Sequence, residues 1–346
     1  MTLAALERYR YTIRWSELSS HRSFHHGKYE SFMEIDIAVN KLEVVDSHHH
    51  FWDLSLGWHD WLLGEPKPFL LGDYTALRRN YLPEDYAIDA FGVDVLATVH
   101  VEAECARSLA LEETGWLHRL QQTHGVPNAV VAHAWLHDAQ LEDRLVAHAK
   151  YPMVKGLRSK PLTADSPTSP FPQGSGSMSD PKWLSGMRKL AARDWSWDLR
   201  VPFWHLKEAA KLIEKVPELR VVLNHTGLPW DRSEDGLAHW REGMKALALM
   251  PQVFCKISEL GLLNAAWTVE SNRRVVMEAV DIFGPSRCMF ASNFPVAGLR
   301  VGYLAQVLGI NEMLQCLSAS ERKDVFVNNA ISFYRIEPFY KQDRRH

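Results

Sequence analysis

Eight short runs of apolar, largely β-branched residues recur along the chain at fairly even spacing, and helical patterns separate them. Apolar runs without polar alternation are typical of strands buried on both faces of a parallel sheet. Strands that alternate with helices form βα units, and eight such units close a barrel. The sequence therefore predicts the α/β class and a (β/α)8 barrel. The runs start at Leu42, Val95, Ala129, Met153, Asp198, Leu219, Val253 and Arg287.

The helical segments between these runs carry recognisable end signals. Asp180 followed by Pro181 is typical of a helix start, and Gly125 follows a periodic segment as a helix stop. After the last run, Ser318 and Glu321 have the spacing of a capping box, so extra C-terminal helices are expected beside the barrel. An open, doubly wound sheet is the competing architecture, but the chain has neither a GxGxxG motif after its first run nor a GxxxxGK[ST] motif.

Two segments lie outside this alternation of predicted strands and helices. Residues 1–40 contain no convincing strand and are predicted to form an N-terminal extension outside the barrel core, which would span residues 41–340. The stretch 162–178 is rich in Ser, Pro and Gly, as expected of a long βα loop over an active site.

Charge and cysteine content narrow the classes of partner. The chain has 39 Lys and Arg against 42 Asp and Glu, so it lacks the excess of positive charge that binding to nucleic acid requires. The four cysteines never approach CxxC spacing and are expected to be reduced and mostly buried. Neither a membrane span nor a signal peptide is indicated, so we expect the cytoplasm, a small-molecule substrate and no membrane partner. A homo-oligomer is left open.

Histidines follow several of the predicted strands, at the barrel end where parallel strands carry reactive groups. His48 and His50 end the first run, His205 the fifth and His225 the sixth, while Asn293 follows the eighth. Because side chains alternate along a strand, His48 and His50 share one face. A single histidine at a strand end is more often a hydrogen-bonded structural residue than a ligand, so the argument depends on their convergence in a barrel.

These motifs resemble those of the amidohydrolase superfamily. The run VVDSHHHFWD, with WHL, VVLNHTGLP, VFCKIS and RCMFASNFPV further along, is similar to the amidohydrolase-related branch that contains L-fuconolactonase, L-rhamnonolactonase and 2-pyrone-4,6-dicarboxylate lactonase. The resemblance extends from about Leu42 to the C-terminus. It implies a (β/α)8 barrel and a hydrolase, whereas the substrate does not follow from it.

The resemblance also implies a set of site residues. In the family, the first-strand histidine pair, histidines after strands five and six and an Asp after strand eight surround a metal ion or an activated water. The corresponding residues are His48, His50, His205, His225 and Asn293. His48, His50 and His205 are the expected ligands of at most one divalent ion, with zinc expected. Asn293 is a departure, because an amide is no general base and is a weaker metal ligand than a carboxylate.

Further residues are expected to complete the site. Arg158, in VKGLRSK, stands where binuclear relatives bridge two ions, which argues against a two-metal centre. It could bind a carboxylate or an oxyanion, or form an ordinary ion pair. Glu102 could replace the missing base or merely pair with Arg158. Trp52 and Trp204 are the aromatic candidates for stacking on a substrate ring, and Lys256 is expected to form a buried structural salt link.

These expectations converge on an enzyme that hydrolyses a small cyclic ester, with a sugar-acid lactone as the expected substrate. Water held among the histidines would attack the carbonyl, while Arg158 or a metal takes up the charge. His225 or Glu102 would transfer the proton, and Asn293 would orient water or a substrate hydroxyl. Two alternatives stay open: a single-metal decarboxylase of a small aromatic acid, and a barrel that has lost catalysis and serves as a binding protein.

Overall fold

The computed structural model describes residues 42–337, so the predicted extension over residues 1–40 lies outside the described residues. In the described part, eight parallel strands follow one another in chain order around a barrel, which confirms the predicted α/β barrel. The strands are β1 (Glu43–His49), β2 (Asp94–Val101), β3 (Ala129–Ala132), β4 (Val154–Leu157), β5 (Ser196–Leu199), β6 (Val221–Leu223), β7 (Val253–Ile257) and β8 (Cys288–Phe290).

Helices connect the strands and cover the barrel. They are α1 (Asp60–Leu63), α2 (Pro83–Asp89), α3 (Ala110–His124), α4 (Leu141–His148), α5 (Pro181–Ala191), α6 (Leu206–Ile213), α7 (Glu234–Ala248), α8 (Val269–Phe283), α9 (Tyr303–Met313), α10 (Ala319–Lys323) and α11 (Asn329–Tyr334). The predicted end signals are confirmed: Asp180 caps α5, Gly125 ends α3 with φ +78°, and Ser318 and Glu321 form the capping box of α10.

The barrel closes where β1 meets the segment after β8. The backbone N–H of Asn293 donates to the carbonyl of His48 at 2.7 Å, and that of His50 donates to the carbonyl of Phe294 at 2.8 Å. A π-helical turn over Asp324–Asn328 packs against both β1 and β8. The extra C-terminal helices expected from the sequence therefore cover this seam.

The fifth strand differs from its prediction. The predicted run starts at Asp198 and reaches His205, but β5 ends at Leu199, and His205 lies in a short 3₁₀ helix over Phe203–His205. Pairing to β6 stops at Leu199, and Pro202 has no N–H to donate to a neighbouring strand. The prediction that His205 ends the fifth strand was therefore wrong, and Arg200 is the first residue beyond the strand.

The interior agrees with the remaining expectations. All four cysteines are free, and three of them are buried, as predicted; the exception is Cys316. Lys256 is fully buried and donates to Asp198 at 2.6 Å, which confirms the structural salt link. Across residues 42–337, no helix combines the length and apolarity needed to cross a membrane.

Candidate active site

A pocket of about 140 Å³ opens at the carboxyl ends of the strands, where reactive groups of such barrels lie. Seven of the lining residues are buried, and the half-buried ones contribute cations, a carboxylate and aromatic rings. The buried residues are His50, Trp52, Ala103, Arg158, His225, Glu259 and Asn293; the others are Trp61, Phe69, Leu70, Glu104, Lys160, Arg200 and Val296. The volume suits a small molecule and is below the range typical of drug-sized sites.

Three of the four predicted histidines lie together: His50 and His225 line this pocket, and the ring of His48 is next to both. The ring of His48 lies 5.0 Å from that of His50 and 4.7 Å from that of His225, measured between centroids. Nδ1 of His50 donates to the carbonyl of Val101 at 2.7 Å, and Nδ1 of His225 forms a hydrogen bond with the Ser258 hydroxyl at 3.1 Å. These contacts fix the ring planes, so each imidazole presents one defined nitrogen.

The surroundings keep these imidazoles neutral. Burial, together with the charge of Arg158, lowers the pKa of His50 to about 3. Burial and the charge of Lys256 hold the pKa of His48 well below its usual range, and burial and Arg200 do the same for His225. At neutral pH the three rings therefore donate or accept hydrogen bonds as uncharged groups.

The metal implied by the resemblance can be tested against these donors. Within residues 42–337, no three His, Cys, Asp or Glu side chains are arranged to hold a metal ion. The Lys256 ammonium lies 3.4 Å from Nδ1 of His48, and Arg158 and Arg200 add positive charge to the same pocket. Asn293 brings an uncharged amide where the family has a carboxylate. The described residues therefore do not fit a metal centre, and the chemistry of the site is assigned to its side chains.

Arg158 and Glu102 form a buried ion pair, which is one of the two roles considered for Glu102. Nε of Arg158 donates to Oε1 of Glu102 at 2.6 Å, and Arg107 donates to Oε2 at 2.7 Å. Burial alone would raise the pKa of Glu102, but the two guanidinium groups hold it well below its ordinary value. A carboxylate so strongly paired is a weak base. Nη1 of Arg158 has no partner among the described side chains, so it is available to the pocket.

Two further cations in the pocket were missed by the sequence analysis. Arg200 stands directly after β5, and in residues 42–337 its guanidinium has no hydrogen-bond or ion-pair partner. Lys160 contacts the carboxylate of Glu104, and burial lowers the pKa of its amine to about 8. The predicted fifth run reached His205, whereas β5 ends at Leu199. With the correct strand end, Arg200 would have been selected, because the histidines were selected as polar residues at strand ends.

A buried carboxylic acid was also missed. Glu259 follows β7 by two residues, as His225 follows β6, and it accepts a hydrogen bond from the Asn293 amide. Nδ2 of Asn293 is the donor to Glu259, and the amide oxygen of Asn293 lies 3.2 Å from Nε2 of His50. Burial raises the pKa of Glu259 to about 7, against the opposing effects of Asn293, Arg200 and Arg300. The strand-end rule would have selected Glu259 if the seventh run, VFCKIS, had been followed one residue further.

Aromatic side chains form one wall of the pocket. Trp52 lines it, and its indole donates to the carbonyl of Arg79 at 2.7 Å. Trp61 and Phe69 stack with their centroids 6.0 Å apart on the same side. Trp204 is not among the lining residues; its indole donates to the carbonyl of Ala164 at 3.1 Å.

His205 is likewise engaged away from the pocket. Its Nε2 accepts a hydrogen bond from the backbone N–H of Ala164 at 2.9 Å, and its ring lies 5.2 Å from that of Phe171. The segment 162–178 is a loop, as predicted, and it contacts His205 and Trp204 while contributing no lining residue to the pocket. The structure thus brings His48, His50 and His225 together without His205.

Comparisons with known proteins agree with this architecture. An L-fucono-1,5-lactonase from Burkholderia multivorans is 27% identical over 304 residues, which cover 84% of this chain and 96% of that protein. An uncharacterized protein from Sinorhizobium fredii is 35% identical over 86% of this chain and 100% of its own length. The crystal structure of a Burkholderia multivorans amidohydrolase with bound zinc has a TM-score of 0.71 at 26% identity, covering 85% of this chain and 99% of that one.

The family model described as "Amidohydrolase" matches residues 45–336, which include every strand except the first residues of β1. Members of this superfamily typically bind a divalent metal. With the barrel and the strand-end pocket, this match confirms the resemblance and identifies an amidohydrolase-type hydrolase. The chain belongs to the amidohydrolase family.

Proposed function

We propose that this enzyme hydrolyses a small cyclic ester, with a sugar-acid lactone as the substrate. The observation that carries the proposal is the placement of unpaired guanidinium donors, from Arg158 and Arg200, in the same small pocket as neutral imidazoles and a buried carboxylic acid. Ester hydrolysis requires these functions, because negative charge develops on the carbonyl oxygen while water loses a proton.

The guanidinium groups supply the positive charge. Nη1 of Arg158 is the proposed donor to the carbonyl oxygen, since the buried pair with Glu102 holds the rest of that side chain in place. A donor fixed before the reaction needs no reorganisation as the oxyanion forms, and one such donor is worth about 10²–10³ in rate. Arg200 is free to bind a second oxygen of the substrate.

The other lining residues would bind and orient the ring. Trp52, Trp61 and Phe69 offer an apolar wall against which one face of a sugar ring could pack. His50 and His225 offer uncharged polar groups for hydroxyls or for the attacking water. A lactone suits these groups because its strained ester is more reactive than an amide. The lactonase relative is named for substrates of this class.

The test is a panel of sugar lactones that includes L-fucono-1,5-lactone and L-rhamnono-γ-lactone, followed by acid release in a pH-stat. A linear ester and an amide of similar size serve as controls. We expect lactones to be hydrolysed with a kcat/KM at least about 100-fold above that of the controls, as an oxyanion donor and an orienting pocket imply. Acid release from none of the lactones would refute the proposal, and carbon dioxide release from an aromatic acid would favour the decarboxylase alternative.

A further inference from the structure

Glu259 lines the pocket, and one of its two carboxylate oxygens has no hydrogen-bond partner in residues 42–337. The side chain is 3% exposed, and Oε2 accepts the hydrogen bond from Asn293. Oε1 has no hydrogen-bond partner anywhere in residues 42–337. Leaving a buried acceptor without a partner is costly, and such a group calls for a water or ligand that completes it. The pocket that Glu259 lines is the place where such a water or ligand could bind.

We propose that Glu259 is the general base that deprotonates the attacking water, with Oε1 as the accepting atom. This inference rests on the proposed lactone hydrolysis and adds a catalytic residue to it. Asn293 is then a positioning residue, since its amide holds Oε2 and leaves Oε1 directed to the water. The carboxylate that the family carries after strand eight is thus supplied after strand seven.

The other candidate bases are less suited. Both oxygens of Glu102 accept from guanidinium groups, Oε1 from Arg158 and Oε2 from Arg107, so protonating this carboxylate would weaken two ion pairs. His48 has Lys256 at its Nδ1, and the low pKa of His50, about 3, makes it a poor proton acceptor. Burial and the charge of Arg200 likewise hold the pKa of His225 well below its usual range. Glu259 has a pKa of about 7, close to the pH at which a general base works best.

The backbone supports the same assignment. Glu259 has φ +48° and Asn293 has φ +56°, so both lie in the left-handed region that non-glycine residues seldom occupy. Strained backbone of this kind concentrates at functional sites, where it places a side chain that regular structure could not place. The two turns bring side chains from adjacent strand ends into hydrogen-bond contact.

Oε1 of Glu259 takes one proton from water while the water oxygen bonds to the lactone carbonyl carbon. The tetrahedral oxyanion collapses, the bond from that carbon to the ring oxygen breaks, and the ring oxygen receives the proton from Glu259. The product is an open-chain hydroxy acid, which loses its carboxyl proton to solvent, and the Glu259 carboxylate is restored.

The charged groups that face Glu259 set its pH behaviour. Arg200 acts on it from the end of β5 and Arg300 from the segment after β8, while Asn293 hydrogen-bonds to it and His225 lines the same pocket, both as neutral groups. A base acts only when deprotonated, so kcat/KM of the wild type should rise with pH up to about 7 and then level off.

The central experiment compares Glu259→Gln with wild type on the best lactone of the panel. We expect kcat to fall by about 10²–10⁴ with a much smaller change in KM, and the rise of rate up to about pH 7 to disappear. Glu259→Asp should keep that rise at a reduced kcat. Glu113→Gln is the matched control, because Glu113 is also buried with a pKa of about 7 but lies outside the pocket lining. It should stay within about twofold of wild type.

A rescue distinguishes catalysis from structure. In the double variant Glu259→Gln with Asn293→Asp, the carboxylate returns to the strand-eight position, and kcat should recover at least about tenfold over Glu259→Gln. A Glu259→Gln enzyme that retains wild-type kcat and the same pH profile would overturn the assignment while leaving lactone hydrolysis intact. A wild-type enzyme inert on every lactone would overturn the proposed function and this inference together.

Discussion

Replacing Asn293 by Asp tests whether another residue of this site acts as the general base or whether the site has no general base. The amide of Asn293 contacts Glu259, so Asn293→Asp would place two carboxyl groups side by side. Two unit charges about 4 Å apart repel by about 4 kcal/mol at an effective dielectric constant of about 20. At about 1.4 kcal/mol per pKa unit, this shifts one of the two pKa values upward by about three units. The pair therefore keeps one proton at pH 7.

Because one carboxylate of the pair stays ionised, the variant would still contain one base. We expect kcat/KM at pH 7 to lie between the wild-type value and about tenfold below it, a change of at most about 1.4 kcal/mol in transition-state stabilisation. The assay is kcat/KM for the best lactone from pH 5 to 9, with thermal unfolding to verify the fold. A gain of about 100-fold or more would refute the reasoning, since it would mean that the wild type lacks a working base.

Three further predictions concern other parts of the site. Arg158→Ala should cost about 2–4 kcal/mol in transition-state stabilisation with a native circular dichroism spectrum, and unchanged turnover would remove Arg158 from the mechanism. Because the described donors around His48 do not fit a metal, dialysis against a chelator should leave most of the lactonase activity and at most one ion per chain by elemental analysis; a loss that added zinc restores would contradict this. Lys256→Met should destabilise the fold by about 3–5 kcal/mol, because it leaves Asp198 buried without its counter-charge. Calorimetry should show a Tm lower by roughly 6–20 °C, and a change below about 1 kcal/mol would contradict the salt link.

Signals within short stretches of the sequence were sufficient to predict the order of the strands and helices. Apolar runs identify eight strands, and capping residues such as Asp180 and Ser318 mark helix ends, because both signals depend on neighbours within a few residues. His48 and His50 could be predicted to lie side by side for the same reason, since alternation depends on neighbouring residues; the structure places His48 in β1 and His50 directly after it, with their rings 5.0 Å apart.

The tertiary structure decided which strand-end residues share the pocket. The strands after β2 are three to five residues long, so pairing with neighbours sets their ends, and a shift at β5 replaces His205 by Arg200. Glu259 joins Asn293 through two left-handed backbone turns, which no periodic pattern predicts. Sequence determined the elements because their signals are local, whereas the site depends on contacts such as His48 with Lys256, 208 positions apart, which exist only once the barrel has closed.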